Sequence, residues 1–320
     1  MERYTLEWTA PGTFAGDRVL ATRFDFRDPE LEDSIRRFGV LSPLLAYRHE
    51  GALRLISGYR RVEAARSAGI PKMPVLVLAD RLSEREAFCL ALVSNWRERR
   101  TELDGAVFFE RARALDFEIA EIQNQLLPLM GYPPERHWIH EFQALAGLSP
   151  MLLEDIRAGR LPERGASALA RLDRRGQEIF SDRAVRRLHL TSSQLMKTAE
   201  WLLDMIRLCG EPLEALLAKP GLEDILGEPR LDVRQKTERF FRKLKDLRFP
   251  RQAQKEGEFQ AAAKSLEKGV PGLKIEAPAH FEEPGFQVHL KARDPAALDR
   301  LLDALAEKRS SMRELFKIVL

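Results

Sequence analysis

The sequence predicts an α+β chain of 320 residues in three parts. Three observations carry that expectation. Helix and strand signals alternate from residue 17 to about residue 105. Only helical periodicity follows, to about residue 246, and strand signals then return in the tail. The expected division is a mixed α/β domain over 1–105, an all-helical region over 106–250, and a small α/β unit over 251–320.

The elements of the first part follow from local chemistry. Pro29 opens a helix behind Asp28, an N-cap residue. Leu31, Ile35 and Phe38 recur at helical spacing, and Gly39 closes the helix. LLAYR (44–48) and GALRLISG (51–58) read as strands around a turn at His49–Gly51. YRRVEAARSAG (59–69) is a second helix, ended by Gly69. MPVLVLAD (73–80) is a continuous apolar run, as a strand buried on both faces should be. Ser83, with Glu86 three residues on, has the capping-box pattern of a helix start.

In the helical part, breaks are expected at 131–134, 147–150, 161–162, Gly210 and 220–221. Residues 230–255 carry ten Lys and Arg against three acids, a strongly basic stretch. The tail reads as helix (258–269), strand (273–278), strand (286–292) and a capped helix (294–308). Within it, Val288 and Leu290 alternate with polar residues. His280 and His289 are expected to be surface or packed residues rather than metal ligands, because neither stands at ligand spacing from a carboxylate–His pair.

Composition sets outer bounds. The formal charge is only +3, so the distribution of charge matters more than its sum. A 44% apolar fraction suits a soluble globular chain. Cys89 and Cys209 each sit in apolar runs and are expected as buried, inert thiols in a reducing cytoplasm. The first twelve residues carry two acids and no apolar core, so no signal peptide is expected. No apolar run approaches the roughly 20 residues of a membrane-spanning helix.

The segment that carries chemistry is LISGYRRVEAARSAG (55–69). A strand ends at Gly58 and a helix begins at once with Arg60 and Arg61. Glycine at such a turn lets backbone approach a ligand, the helix start offers free N–H groups, and the guanidinium forks suit phosphate. Taken alone, the stretch leaves two readings open: a phosphate cradle, or a turn followed by a solvated helix face.

The wider pattern resembles the ParB N-terminal domain, of the ParB/sulfiredoxin-like superfamily. ELEDSIRRFGVLSPLLA (30–46), ISGYRRVEAARSAGI (56–70), PVLVL (74–78) and LVSNWRERR (92–100) follow that family's order and spacing. Ser34, Ile35, Gly39, Pro43, Gly58, Arg60, Arg61 and Asn95 stand at matching places. The resemblance implies a domain that binds CTP with Mg²⁺. It implies phosphate contacts at Gly58, Tyr59, Arg60 and Arg61, with Asn95 completing the site. Arg97 and Arg99, or Arg100, would give a later basic contact, and Thr22 and Arg23 fall at the family's first nucleotide-contacting segment. Two positions depart from the pattern. Tyr59 and Ser94 stand where the family has Glu. The lost carboxylates bear on metal and water organisation, so at most weak CTP hydrolysis is expected, with no catalytic residue or metal ligand assigned. Sulfiredoxin chemistry needs a thiolate at this turn, and Ser57–Arg60 contains none.

The resemblance further implies a helix-turn-helix after the nucleotide domain, with LLPLM (126–130), the turn 131–134, and a second helix over 135–145. Arg136, His137, His140 and Gln143 are the candidate DNA contacts. Glu135 and Glu141 are poor base readers, so a DNA reader and a helical bundle that merely keeps the layout both stay open. Arg239, Arg242 and Lys243 are candidate phosphate contacts in the basic stretch, over a face where Phe240, Phe241, Leu244 and Leu247 are expected to be buried. The tail resembles the ParB dimerisation domain in pattern. The expected function is a nucleotide-responsive DNA-binding protein of partitioning, nucleoid organisation or regulation. Its expected partners are DNA, a second copy and a partition ATPase, at a cytoplasmic, nucleoid-associated location. The alternatives are a small-molecule phosphotransferase with Glu63 as its carboxylate, and a non-catalytic adaptor that has lost nucleotide binding. For Glu63 the bland reading is a solvated residue pairing with Arg60 or Ser67.

Overall fold

A computed structural model describes residues 4–14, 16, 18–79, 81–95, 100–278 and 285–319. The chain divides into two compact units, residues 1–200 and 201–320.

The first unit opens on a four-stranded sheet. Its strands are β1 (Tyr4–Thr9), β2 (Leu44–His49), β3 (Ala52–Ser57) and β4 (Met73–Leu78), in the order β1-β4-β2-β3. β2 runs parallel to β4, and the other two pairings are antiparallel. The helices α1 (Pro29–Phe38), α2 (Tyr59–Ser67) and α3 (Glu84–Ser94) connect and cover it. Asp28 caps α1 by accepting from the Leu31 amide, and Ser83 with Glu86 forms the capping box of α3. β1 lies upstream of the alternation that the sequence shows. Its apolar residues face solvent, so no core pattern marks it.

One face of the sheet buries Leu44, Ala46, Val75 and Val77 against Ile35 of α1 and Val62 and Ala65 of α2. The other buries Tyr47, Ile56 and Leu78 beneath Phe88 and Leu92 of α3, and this core continues into the helical region. There α4 (Glu102–Ala114) supplies Phe108, which stacks on Phe88 with ring centroids 6.1 Å apart. The expected seam at 105/106 therefore lies inside one packed unit. Next come α5 (Ile119–Glu121), a π turn (Ile122–Leu126) and α6 (Leu127–Leu129). A turn then leads to α7 (Arg136–Ala146). α7 crosses α4 so closely that a Cβ at Gly105 would lie 2.1 Å from the Phe142 ring.

α8 (Pro150–Arg157), a 3-10 turn (Ala166–Arg171), α9 (Arg174–Phe180) and a second π turn (Ser181–Val185) complete the packing before α10 (Ser192–Cys209). Asp155 is buried, and its carboxylate is satisfied by Ser181 Oγ and Arg160. The break between units falls within α10, where no Gly or Pro marks it.

The second unit holds α11 (Leu213–Leu217), α12 (Leu222–Gly227), α13 (Val233–Arg248) and α14 (Pro250–Glu267). It ends with the two-stranded sheet β5 (Leu273–Glu276) and β6 (Gln287–Leu290), then α15 (Pro295–Glu307) and α16 (Arg309–Val319). Its terminal core joins Phe259, Leu266, Ile275, Leu301 and Leu315. Pro250 opens α14 as a new helix. Phe240 and Leu244 of α13 are buried as expected, whereas Phe241 and Leu247 are half-buried. Cys209 ends α10 exposed, contrary to the expectation of two buried thiols, while Cys89 is half-buried and desolvation pushes its thiol up. His289 lies on the surface near Glu276 (3.4 Å), and His280 falls outside the described residues. Among the described residues, no helix is long and apolar enough to cross a membrane.

A candidate phosphate-binding cavity

The turn from β3 to α2 sets the geometry of the site. Gly58 caps α2 at φ 114°, a conformation that side chains disfavour. A Cβ there would also lie 2.4 Å from Leu44 Cδ2. Glycine is thus required twice, once by the backbone and once by the packing of β2 behind it. The turn residues border a cavity of about 170 Å³.

Three segments meet at this cavity. Gly58, Tyr59, Arg60 and Arg61 come from the turn, Thr22 and Arg23 from the loop before α1, and Asn95 from the end of α3. All seven are candidate residues from the sequence, and they line one space. Arg97 and Arg99 fall outside the described residues. Sequence reasoning missed the apolar wall, which Leu20, Phe26, Leu31 and Ile56 provide. An apolar wall beside convergent cations is the usual composition of a small-molecule pocket.

The polar groups are held by specific bonds. Asn95 accepts from Ser57 Oγ (3.1 Å) and donates to the Ala91 carbonyl (2.8 Å), which fixes its amide. Tyr59 donates its hydroxyl to the Leu55 carbonyl (2.8 Å), with its ring 5.6 Å from that of Phe26. The residue replacing the expected Glu is thus built into the wall. Arg61 donates to the Ser42 and Pro43 carbonyls, each at 2.7 Å, and so ties the turn to the start of β2. Arg60 pairs with Asp28, the cap of α1. Arg23 stands 3.7 Å from the buried Asp104, which also accepts from the Phe24 amide at 2.8 Å. Arg100 donates to the carbonyls of Leu92 and Asn95, at 3.3 and 3.1 Å, bracing the end of α3.

Among the described residues, no carboxylate lines the cavity. That described donor set fits an anion and lacks the one or two carboxylates that protein-ligated Mg²⁺ sites use. Among the described residues, no group of three His, Cys, Asp or Glu is placed to hold a metal. Glu63 is absent from the lining and pairs with Arg18 (3.3 Å) and Arg66 (3.7 Å), not with the expected Arg60 or Ser67. Arg60 has the closer Asp28 instead.

The candidate DNA contacts separate by unit. On α7, Arg136, His137, His140 and Gln143 are all exposed, while Ile139, Phe142 and Leu145 face the core. On α13, Arg239 and Arg242 are exposed. Lys243 is half-buried, with its stem packed over Gly221.

The first unit is thus an α/β domain whose four-stranded mixed sheet carries a cation-lined cavity at the strand–Gly–helix turn. Residues 27–96 match the model of the ParB N-terminal domain. It is 29% identical over 205 residues to the chromosome-partitioning protein Spo0J of Thermus thermophilus, a match covering 60% of this chain and 74% of that protein. A probable plasmid-partitioning protein ParB of the same species is 48% identical over 65 residues, 20% of this chain and 21% of that protein. A solved C-terminally truncated ParB from Caulobacter crescentus, complexed with CTP-gamma-S, is 20% identical. That match covers 56% of this chain and 97% of that one, with a TM-score of 0.25.

Proposed function

We propose that this chain is a ParB-type DNA-binding protein whose N-terminal domain responds to a nucleotide, with CTP as the expected ligand. The observation that carries the reading is the convergence of Thr22, Arg23, Gly58, Arg60 and Asn95 on one cavity, the last three from within the family-matched residues 27–96. Phosphates would meet the Arg60 guanidinium at the start of α2. Asn95 and the apolar wall would face the rest of the nucleotide. Among the described residues the lining supplies no carboxylate, and Tyr59 stands where the family has Glu, so slow hydrolysis or none is the consistent expectation.

DNA would be met by the exposed face of α7, as the second helix of a helix-turn-helix, and non-specifically by Arg239 and Arg242. The names of the relatives place such proteins in chromosome and plasmid partitioning. A cytoplasmic, nucleoid-associated location and a partition ATPase partner belong to the same reading. A homodimer through the second unit is supported by exposed apolar side chains on β6, α15 and α16, among them Leu298, Leu302 and Phe316. The phosphotransferase alternative loses support because Glu63 is paired away from the cavity.

The test is selection of genomic fragments by the purified chain with CTP, with ATP and without nucleotide, followed by sequencing. Enrichment of a few discrete sites that changes with CTP supports the reading. Uniform recovery in all three conditions would overturn it.

A further inference from the structure

We propose that β1 is an interface between two copies of this chain, which join their sheets edge to edge through antiparallel pairing of Tyr4–Trp8. β1 reads YTLEWT, a strict alternation. Its apolar set projects from the face that α3 covers farther along the sheet. The register puts Tyr4 opposite Leu78 and Leu6 opposite Leu76, and Leu78 lies under α3. Yet Tyr4, Leu6 and Trp8 are 49, 54 and 63% exposed and belong to neither core. Three large apolar side chains side by side on an alternating strand require a cover.

The strand is also an open edge. Among the described residues it pairs with β4 on one side and ends the sheet on the other. Open edges are ordinarily guarded by Lys, Pro, a bulge or an inward charge. β1 has none of these. Its one charge, Glu7, lies on the opposite face and is paired with Arg48 at 2.9 Å.

The sequence of β1 selects a second copy as the occupant. With two copies antiparallel and centred on Leu6, Leu6 meets Leu6, Tyr4 meets Trp8, and Thr5 meets Glu7. Every apolar residue then faces an apolar one, and the two Glu7 carboxylates never meet. A slip of one residue puts Leu6 against Glu7 and mixes the faces. A pattern that reads the same from either partner is what a two-fold interface requires. This contact is distinct from the dimer proposed through the second unit.

The test reads register in the full-length chain. With Cys89→Ala and Cys209→Ser removing the native thiols, Leu6→Cys should form a disulfide-linked dimer under mild oxidation. The rate should be roughly tenfold above that of an exposed reference, Glu238→Cys, because facing Cβ atoms across an antiparallel pair lie about 5 Å apart. Tyr4→Cys and Trp8→Cys should link slowly alone and rapidly when mixed. Equal rates at all positions would overturn the proposal. So would a benzophenone attached at position 6 that links to any segment other than residues 4–9 of another copy, whether in this chain or in a different protein.

Discussion

Asp104, at the start of α4, accepts the Phe24 amide at 2.8 Å, so a buried carboxylate of the helical region holds the loop that presents Thr22 and Arg23 to the cavity. Its second oxygen accepts the Thr101 amide at 3.0 Å, and Arg157 of α8 stands 4.7 Å from the centre of the Phe24 ring. Asp104→Ala takes an acceptor from two amides and should cost about 3 kcal/mol in urea unfolding. Arg157→Ala removes this exposed contact and an exposed ion pair with Glu154 (2.9 Å), and should cost under about 1 kcal/mol. Equal losses would mean that the carboxylate does not anchor the loop.

Gly58→Ala should destabilise the first unit by about 1–3 kcal/mol from the left-handed backbone alone. Contact with Leu44 should add to that loss. Pairing it with Leu44→Ala should recover part of the loss, since the clash is with that side chain and the φ penalty is not. A double mutant no better than the sum of the two would remove the packing argument.

The carboxyl of Glu102 is pushed up, first by burial and then by Glu141 and Glu163. Its Oε2 has no hydrogen-bond partner among the described residues. A carboxyl raised in the fold favours the protonated form there. Its penalty is absent at acid pH, appears above the unfolded value and is complete above the folded one. Glu102→Gln should therefore raise the thermal midpoint at pH 7, with the gain fading below about pH 4. Glu86 runs the other way, because Ser83 lowers its carboxyl through backbone and side-chain bonds. Its stabilisation is present at neutral pH and lost as pH falls through the folded value, so Glu86→Gln should flatten the acid limb of the profile. Midpoints measured across pH for the two variants check both signs.

Arg239→Ala and Arg242→Ala should each reduce the salt dependence of DNA binding by about one unit of slope, with similar effects on all sequences. Arg136→Ala and Gln143→Ala should instead change which sequences are preferred, if α7 enters a groove. Fluorescence anisotropy across a salt series with two unrelated duplexes separates these outcomes.

Much of the first unit was legible because its signals are local. Asp28–Pro29, Ser83–Glu86 and Gly58 announce a cap, a capping box and a turn from a few residues each, and the structure has all three. The tail helix behind Asp294 is of the same kind. What was hidden depends on contacts across the chain. The bond from Phe24 to Asp104 spans 80 residues, and the pairing of Glu63 with Arg18 spans 45. β1 was hidden because its apolar face has no cover within the described chain. The exposed Cys209 was hidden because an apolar run does not reveal which side of a helix end faces water.

The most direct test of the central claim is isothermal titration of the full-length chain with CTP, ATP and GTP in the presence of Mg²⁺, beside Arg60→Ala and Asp28→Asn. Asp28→Asn keeps a capping oxygen for α1 and releases Arg60 from its carboxylate. The account predicts preferential CTP binding, weakened roughly tenfold or more by Arg60→Ala and strengthened by Asp28→Asn. No binding of any nucleotide, or CTP binding that ignores Arg60, would contradict it.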